Sequence, residues 1–138
     1  MNRPEGSHSD AGSERRRRGL AAYASQFGID EQDVERHLSS LIGPRMAAEA
    51  IFAAGGGAWE EGVLSLRDRS LIVLASLITQ GGSEDRLRGH VRWAVRHGVT
   101  PAQIEELATL LAIYAGYPRA SSAMQTIRAE LSTVEETT

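Results

Sequence analysis

Apolar residues recur every three or four positions from Leu20 to Leu131, and glycine breaks the rhythm again and again, so the chain reads as one helix after another. Leu20, Tyr23, Ala24 and Phe27 mark a first helix closed by Gly28, and Val34, Leu38, Leu41 and Ile42 a second, capped by Asp30 and stopped at Gly43-Pro44. A third carries Met46, Ala47, Ala50, Ile51 and Ala54 and runs out in Gly55-Gly56-Gly57, which reads as the most flexible point of the chain. Ser65 followed by Asp68 opens a fourth helix, from about Leu66 to Gln80, whose LIVLASLI stretch is apolar nearly all round and predicts a central helix buried on every side. Ser83 caps a fifth, ended by Gly98. The sixth has the strongest start, with Thr100 as N-cap, Pro101 at the first helical position, Gln103 completing a capping box and Val99 placed to staple against Ile104. Gly116 and Pro118 separate it from a last helix bearing Ala120, Ala123, Met124, Ile127 and Leu131. No stretch alternates as a strand would, so the predicted fold is an all-α helical bundle of about seven helices.

The organisation that follows is a polar N-terminal tail over 1–18 without apolar periodicity, read as disordered, one helical domain over 19–131, and a polar C-terminal tail over 132–138. The tail holds five arginines against three acids and the rest ten against fifteen, and the run Arg15 to Arg18 reads as a solvated helix entry. A net charge of −3 gives no reason to expect a nucleic-acid partner. No apolar run approaches the roughly 20 residues of a membrane helix, and the N-terminus has no signal-peptide core, so a cytoplasmic protein without a membrane partner is expected. The absence of cysteine removes thiol peroxidases, cysteine nucleophiles and thiolate metal sites. All 15 basic residues are arginine, so a lysine Schiff base and a P-loop lysine are excluded as well.

Chemistry can sit in three places. On the fifth helix Arg86, His90, Trp93 and His97 follow one another along a single flank of the apolar face, a stripe able to line a cleft or simply to form a boundary whose histidines bond to backbone. Two histidines without a third ligand are a weak metal signal, so no metal is expected. Trp59, directly after the three glycines, is placed to wall a pocket, while Glu60 and Glu61 are either a carboxylate pair of raised pKa or solvated loop acids. Arg69 offers a guanidinium fork for a substrate carboxylate, or else an ion pair with Asp68. Tyr114 and Tyr117, in YAGYP, are candidates for a site wall and equally for core or cap positions.

The stretches LSLRDRSLIVLASLITQGG, RLRGHVRWAVRHGVTPAQIEEL and LLAIYAGYPRASSAM, in that order over about residues 59 to 128, resemble the carboxymuconolactone decarboxylase family. That pattern has an opening W-x-R-P-G-L, then D-R-S/E-L, a long apolar helix, L-x-x-H, and Y-x-G-x-P-x-A. The resemblance implies the all-α fold shared with alkylhydroperoxidase D, assembly as a homo-oligomeric ring of trimer or hexamer type, and a decarboxylation that needs no cofactor and no metal. The peroxidase chemistry of that relative depends on a CxxC, which is missing here. His90, at the L-x-x-H position, is then implied in proton transfer or as partner of an enolate. Arg69 and Arg86 are implied as binders of a carboxylate, and Trp59 and Tyr114 as wall, on a small carboxylated lactone or related enolisable acid.

The chain departs from the pattern at WEEGVL, where Glu61 stands in place of an arginine and Gly62 in place of proline, and at Leu110, where members often carry histidine or glutamine. A carboxylate at position 61 disfavours a dianionic substrate. Two alternatives therefore stand beside the decarboxylase. One is altered chemistry on a less anionic substrate, with Glu61 as base and His90 as acid. The other is a non-catalytic helical oligomer that binds a small ligand. Association of like chains is expected on independent grounds, because a wholly apolar helix together with Trp93 and Met124 at helix edges leaves much apolar surface for a small monomer to cover.

Overall fold

A computed structural model describes residues 6–137. All of its regular structure is helical among the described residues: α1 Gly6–Phe27, α2 Glu31–Ile42, α3 Pro44–Glu49 running without a break into a π-helix Ala50–Ala58, α4 Leu66–Gln80, α5 Glu84–Arg96, α6 Pro101–Tyr114 and α7 Tyr117–Glu136. The chain divides into two compact units, the first ending at Val63 and the second starting at Leu64, where the sequence suggested a single helical domain.

In the first unit α1 starts at Gly6, so residues 6–18 of the expected tail are helical, and residues 1–5 lie outside the described residues. These turns lack an apolar stripe, but each arginine finds an acid. Arg17 pairs with Glu14 on the same face (2.7 Å), Arg16 reaches Glu35 of α2 (2.6 Å), and Arg15 and Arg18 turn to Glu61. Val34, Leu38, Ala47 and Ile51 form the core of the unit, with Tyr23 stacked on Phe27 (5.6 Å) and the Phe27 ring edge-on to His37 (4.9 Å).

The expectation that Gly55-Gly56-Gly57 is a flexible point is overturned. All three are buried within the π-helix, which packs against α1 so closely that side chains have no room. A Cβ on Gly19 would collide with the carbonyl of Ile51, one on Gly56 with the carbonyl of Arg15, and one on Gly57 with the Arg15 guanidinium. Glycine here permits backbone-to-backbone contact and is not a hinge. Gly19 of α1 and Gly55, Gly56 and Gly57 of the π-helix form one glycine seam.

The second unit buries Leu74 and Ile78 of α4, Leu87 and Val91 of α5, Ile104 of α6 and Ile127 of α7 around a common centre. Its starts follow the sequence signals. Ser65 accepts from the Asp68 amide (3.0 Å), and the Thr100–Gln103 box is closed on both sides (3.1 and 3.2 Å). Asp30 and Ser83 hold N-cap positions without a side-chain cap bond. α7 continues through most of the expected polar C-terminal tail, to Glu136. Buried Glu130 is held by Arg92 (2.6 Å) and approached by Arg88 (3.9 Å), so α7 is fixed to α5 by charge as well as by apolar contact.

Two apolar expectations change. α4 is not buried on every side, since Ile72 is more than half exposed while Leu74 and Ile78 are fully buried. The interior of a four-helix unit has room for only part of a helix that is apolar all round. Trp93, placed at a helix edge by periodicity, is buried.

Candidate active site

α5 begins beside Gly81-Gly82 and carries its apolar face through Leu87, Val91 and Ala94, which leaves Arg86, His90, Trp93 and His97 along one flank. The spacing becomes a line of rings. His90 lies 5.8 Å from Trp93, and Trp93 lies 5.0 Å from His97, centroid to centroid. The line ends on α4, where the Oγ of Ser70 and the Nδ1 of His97 share a hydrogen bond of 2.8 Å. Ser70 is 2% exposed, so its hydroxyl is committed to that imidazole in a region closed to water.

His90 is partly buried, and its pKa is pushed down to about 4, first by burial and then by the positive charge of Arg86. At neutral pH the ring is therefore uncharged. It can accept a proton at one nitrogen while its other N–H donates, and an anion bound beside it offsets Arg86 and draws its pKa back toward neutrality.

Arg86 is exposed and close enough to act on His90 through its charge. Arg69 is half-buried in the first turn of α4, and its neighbour Arg67 is the residue that pairs with Asp68 (3.4 Å). Tyr114, at the end of α6, is 81% exposed and Tyr117 also faces outward, so neither is the core residue that the sequence allowed. Trp59 is buried at the end of the π-helix, its amide bonded to the Ala54 carbonyl (3.0 Å). Glu61 is neither a member of a buried carboxylate pair nor merely solvated, because Arg15 Nε (3.2 Å) and Arg18 Nη2 (3.0 Å) both lie on its Oε1. Trp59 and Glu61 belong to the first unit, whereas Arg69, Arg86, His90 and Tyr114 belong to the second.

Ser70 follows Arg69 in the candidate cluster of the sequence, which gives it no role. A signal was available: Ser70, Leu74 and Ile78 share one face of α4, so a hydroxyl there sits on a buried face and requires a partner. Arg15 and Arg18 were also missed, since a four-arginine run shows no preferred direction until the glycine seam fixes which side of α1 is covered.

Among the described residues there is no group of three or more His, Asp or Glu side chains placed to hold a metal ion, and no helix long and apolar enough to cross a membrane. Comparison with known proteins matches residues 46–129 to the carboxymuconolactone decarboxylase family, a span that reaches back past Trp59 into α3. The chain is also similar to a 4-carboxymuconolactone decarboxylase of Acinetobacter baylyi, 32% identical over 113 residues that cover 80% of this chain and 82% of the relative. With the motifs in order, the helices where those motifs require them and both comparisons in agreement, the chain belongs to the carboxymuconolactone decarboxylase family.

Proposed function

We propose that the protein is a cofactor-independent lyase that removes CO₂ from a small carboxylated lactone or related enolisable acid, with His90 handling the proton. The observation that carries this reading is the state of His90: at the family's histidine position, partly buried and uncharged, beside the cation Arg86 and the indole of Trp93. In the reaction, the carbon–carbon bond to the departing carboxylate breaks and its electron pair moves into the conjugated lactone as an enolate. A proton then returns to carbon, and CO₂ leaves. Partial burial favours loss of the carboxylate charge, and an N–H of His90 stabilises the charge that develops on oxygen. A substrate carboxylate on Arg86 cancels the charge that depresses His90, so the imidazole gains basicity when substrate is present and can pass a proton from solvent to carbon. Ser70 fixes the ring of His97, which packs on Trp93, the indole beside which His90 lies. Arg69 is assigned to the retained carboxylate, and Tyr114 to the wall.

The same reading includes a homo-oligomer. Leu110, Ile113 and Tyr114 are exposed at helical spacing along the end of α6, and Tyr117 is exposed at the start of α7. A second copy covering them would bury Tyr114 and turn it into a wall residue. The partner expected besides a second copy is a small-molecule carboxylic acid or lactone, and cytoplasmic placement completes the proposal.

The test is CO₂ release and loss of ultraviolet absorbance with 4-carboxymuconolactone. Turnover is expected in the unaltered protein and should fall at least about 100-fold in His90→Ala, with the melting temperature little changed. Absence of turnover in the unaltered protein, or full turnover in His90→Ala, would reject the assignment.

A further inference from the structure

The second unit holds a cavity of about 360 Å³ where the C-terminal end of α4 and the N-terminal end of α5 meet α7. That volume suits a small organic molecule. None of the residues assigned to the reaction lines it. On α7 the lining residues Arg119, Ser122, Ala123 and Thr126 are spaced i, i+3, i+4 and i+7, so they share one face of that helix over a length of roughly 10 Å. Leu77 and Ile78 of α4 and Leu87 of α5 supply apolar surface between the two ends of this stripe.

The two ends differ in character. Arg119 is exposed, and its Nη1 donates to the carbonyl of Gln80, the last residue of α4. A guanidinium has five N–H groups, and among the described residues no acidic side chain forms an ion pair with this one, so donors and charge remain open to a ligand. Ser83, also in the lining, stands at the N-cap of α5 without making a side-chain cap bond, which leaves the first-turn amides with their partial positive charge. At the other end Thr126 is only 6% exposed, and its hydroxyl makes no hydrogen bond to any described residue. A buried helical threonine ordinarily bonds back to a carbonyl one turn earlier, and a hydroxyl left open on a cavity offers both a donor and an acceptor to whatever enters. Glu84 lines the same cavity, exposed and not paired with Arg119. Its charge disfavours a ligand that brings two carboxylates.

We propose that this cavity binds a small monocarboxylic acid with an apolar body and a hydroxyl at its far end. The carboxylate sits on Arg119 and the first turn of α5, the body lies against Leu77, Ile78 and Leu87, and the hydroxyl meets Thr126. These residues are other than those of the His90 flank, and the site stands whether or not the chain decarboxylates.

Calorimetric titration of the full chain with 3-(4-hydroxyphenyl)propionate tests this, beside 3-phenylpropionate, which lacks the hydroxyl, the amide of the hydroxy acid, which lacks the charge, and 3-(4-carboxyphenyl)propionate, which carries a second carboxylate. The hydroxy acid should bind about five-fold or more tightly than 3-phenylpropionate and at least about ten-fold more tightly than its amide or the diacid. Arg119→Gln should weaken the hydroxy acid about ten-fold or more, and Arg45→Gln, the same change at an exposed arginine of the first unit that has no assigned role, should leave it unaltered. Thr126→Val keeps the side-chain shape and should bring the hydroxy acid and 3-phenylpropionate to equal affinity, with Thr126→Ala in its place if the valine variant melts early. Absence of binding, an amide as good as the acid, full affinity in Arg119→Gln, a matching loss in Arg45→Gln, or a hydroxyl preference that survives at position 126 overturns the proposal. A diacid bound as tightly as the hydroxy acid overturns the monocarboxylate assignment. Turnover of 4-carboxymuconolactone should be unchanged in Arg119→Gln, and a loss of turnover matching the loss of binding would overturn the separation of the two sites. Failure of the binding series with turnover intact removes only this cavity, and binding without turnover removes only the reaction.

Discussion

His90 is held well away from its ordinary protonation behaviour, and the consequence for stability has a definite sign. Its folded-state pKa, about 4, lies below the ordinary value of 6.5 because burial and Arg86 both oppose its charge. Between those two values the unfolded chain binds a proton that the folded chain refuses. Stability is therefore complete above about pH 6.5 and is lost as pH falls toward 4. The contribution at stake is about 3 kcal/mol, less whatever the partial exposure of the ring screens. Urea unfolding at pH 7 and pH 4.5 should show a loss in the unaltered protein that is clearly smaller in His90→Gln, where the titrating group is absent. Equal losses in the two proteins would mean that the ring is not held out of water. Activity should follow the same logic in part. The uncharged ring is already present at neutral pH, so loss of activity in acid is set by the histidine with substrate bound, whose pKa a carboxylate on Arg86 raises above that of the free protein.

At the scale of elements, the contact between α1 and the π-helix has the sharpest requirement. Gly56→Ala would drive a methyl group into the Arg15 carbonyl, and a backbone atom cannot step aside as a side-chain tip can. A loss of about 3 kcal/mol is expected, read as a lower melting temperature. Gly12→Ala, also in α1 but with nothing within 4 Å of the added carbon, should raise stability by about 0.5–1 kcal/mol, because helix propensity alone then decides. A harmless Gly56→Ala would show that the two helices do not touch as described. The same seam marks the limit of what the sequence discloses. The helices of the second unit were legible through Ser65, Thr100-Pro101 and the glycines at 98 and 116, because capping and left-handed turns are local chemistry. Gly55-Gly56-Gly57 was misread because a glycine run looks alike whether it bends freely or admits another backbone. The difference lies in a partner distant in sequence. α1 was missed before Leu20 for the same reason, since its polar turns are held by Glu35 and Glu61 and not by a stripe of their own. Of the candidate site, the stripe on α5 was legible from helical spacing. Its anchor Ser70 and the arginine pair on Glu61 were not, since each depends on which helices meet.

At the scale of the whole molecule, the apolar surface left uncovered by one chain is the argument for association. Ile113 and Tyr114 are 70% and 81% exposed in the last turn of α6, Leu110 lies one turn before them and Tyr117 opens α7. A single charged substitution in the centre of such a stripe places an unpaired charge in the buried part of any contact built on it, at a cost several-fold larger than the apolar burial it removes. The unaltered protein should scatter light as a multiple of its 14.9 kDa chain mass, and Ile113→Glu should shift it to the mass of one chain with its helical circular dichroism retained. If the stripe also supplies Tyr114 to the reaction site, the dissociated variant should lose turnover on 4-carboxymuconolactone along with its mass, although Ile113 is not itself assigned to the substrate. An unaltered protein of single-chain mass would reject association. A variant that dissociates with full turnover would place Tyr114 outside the site and leave each chain to perform the chemistry with His90, Arg69 and Arg86 alone.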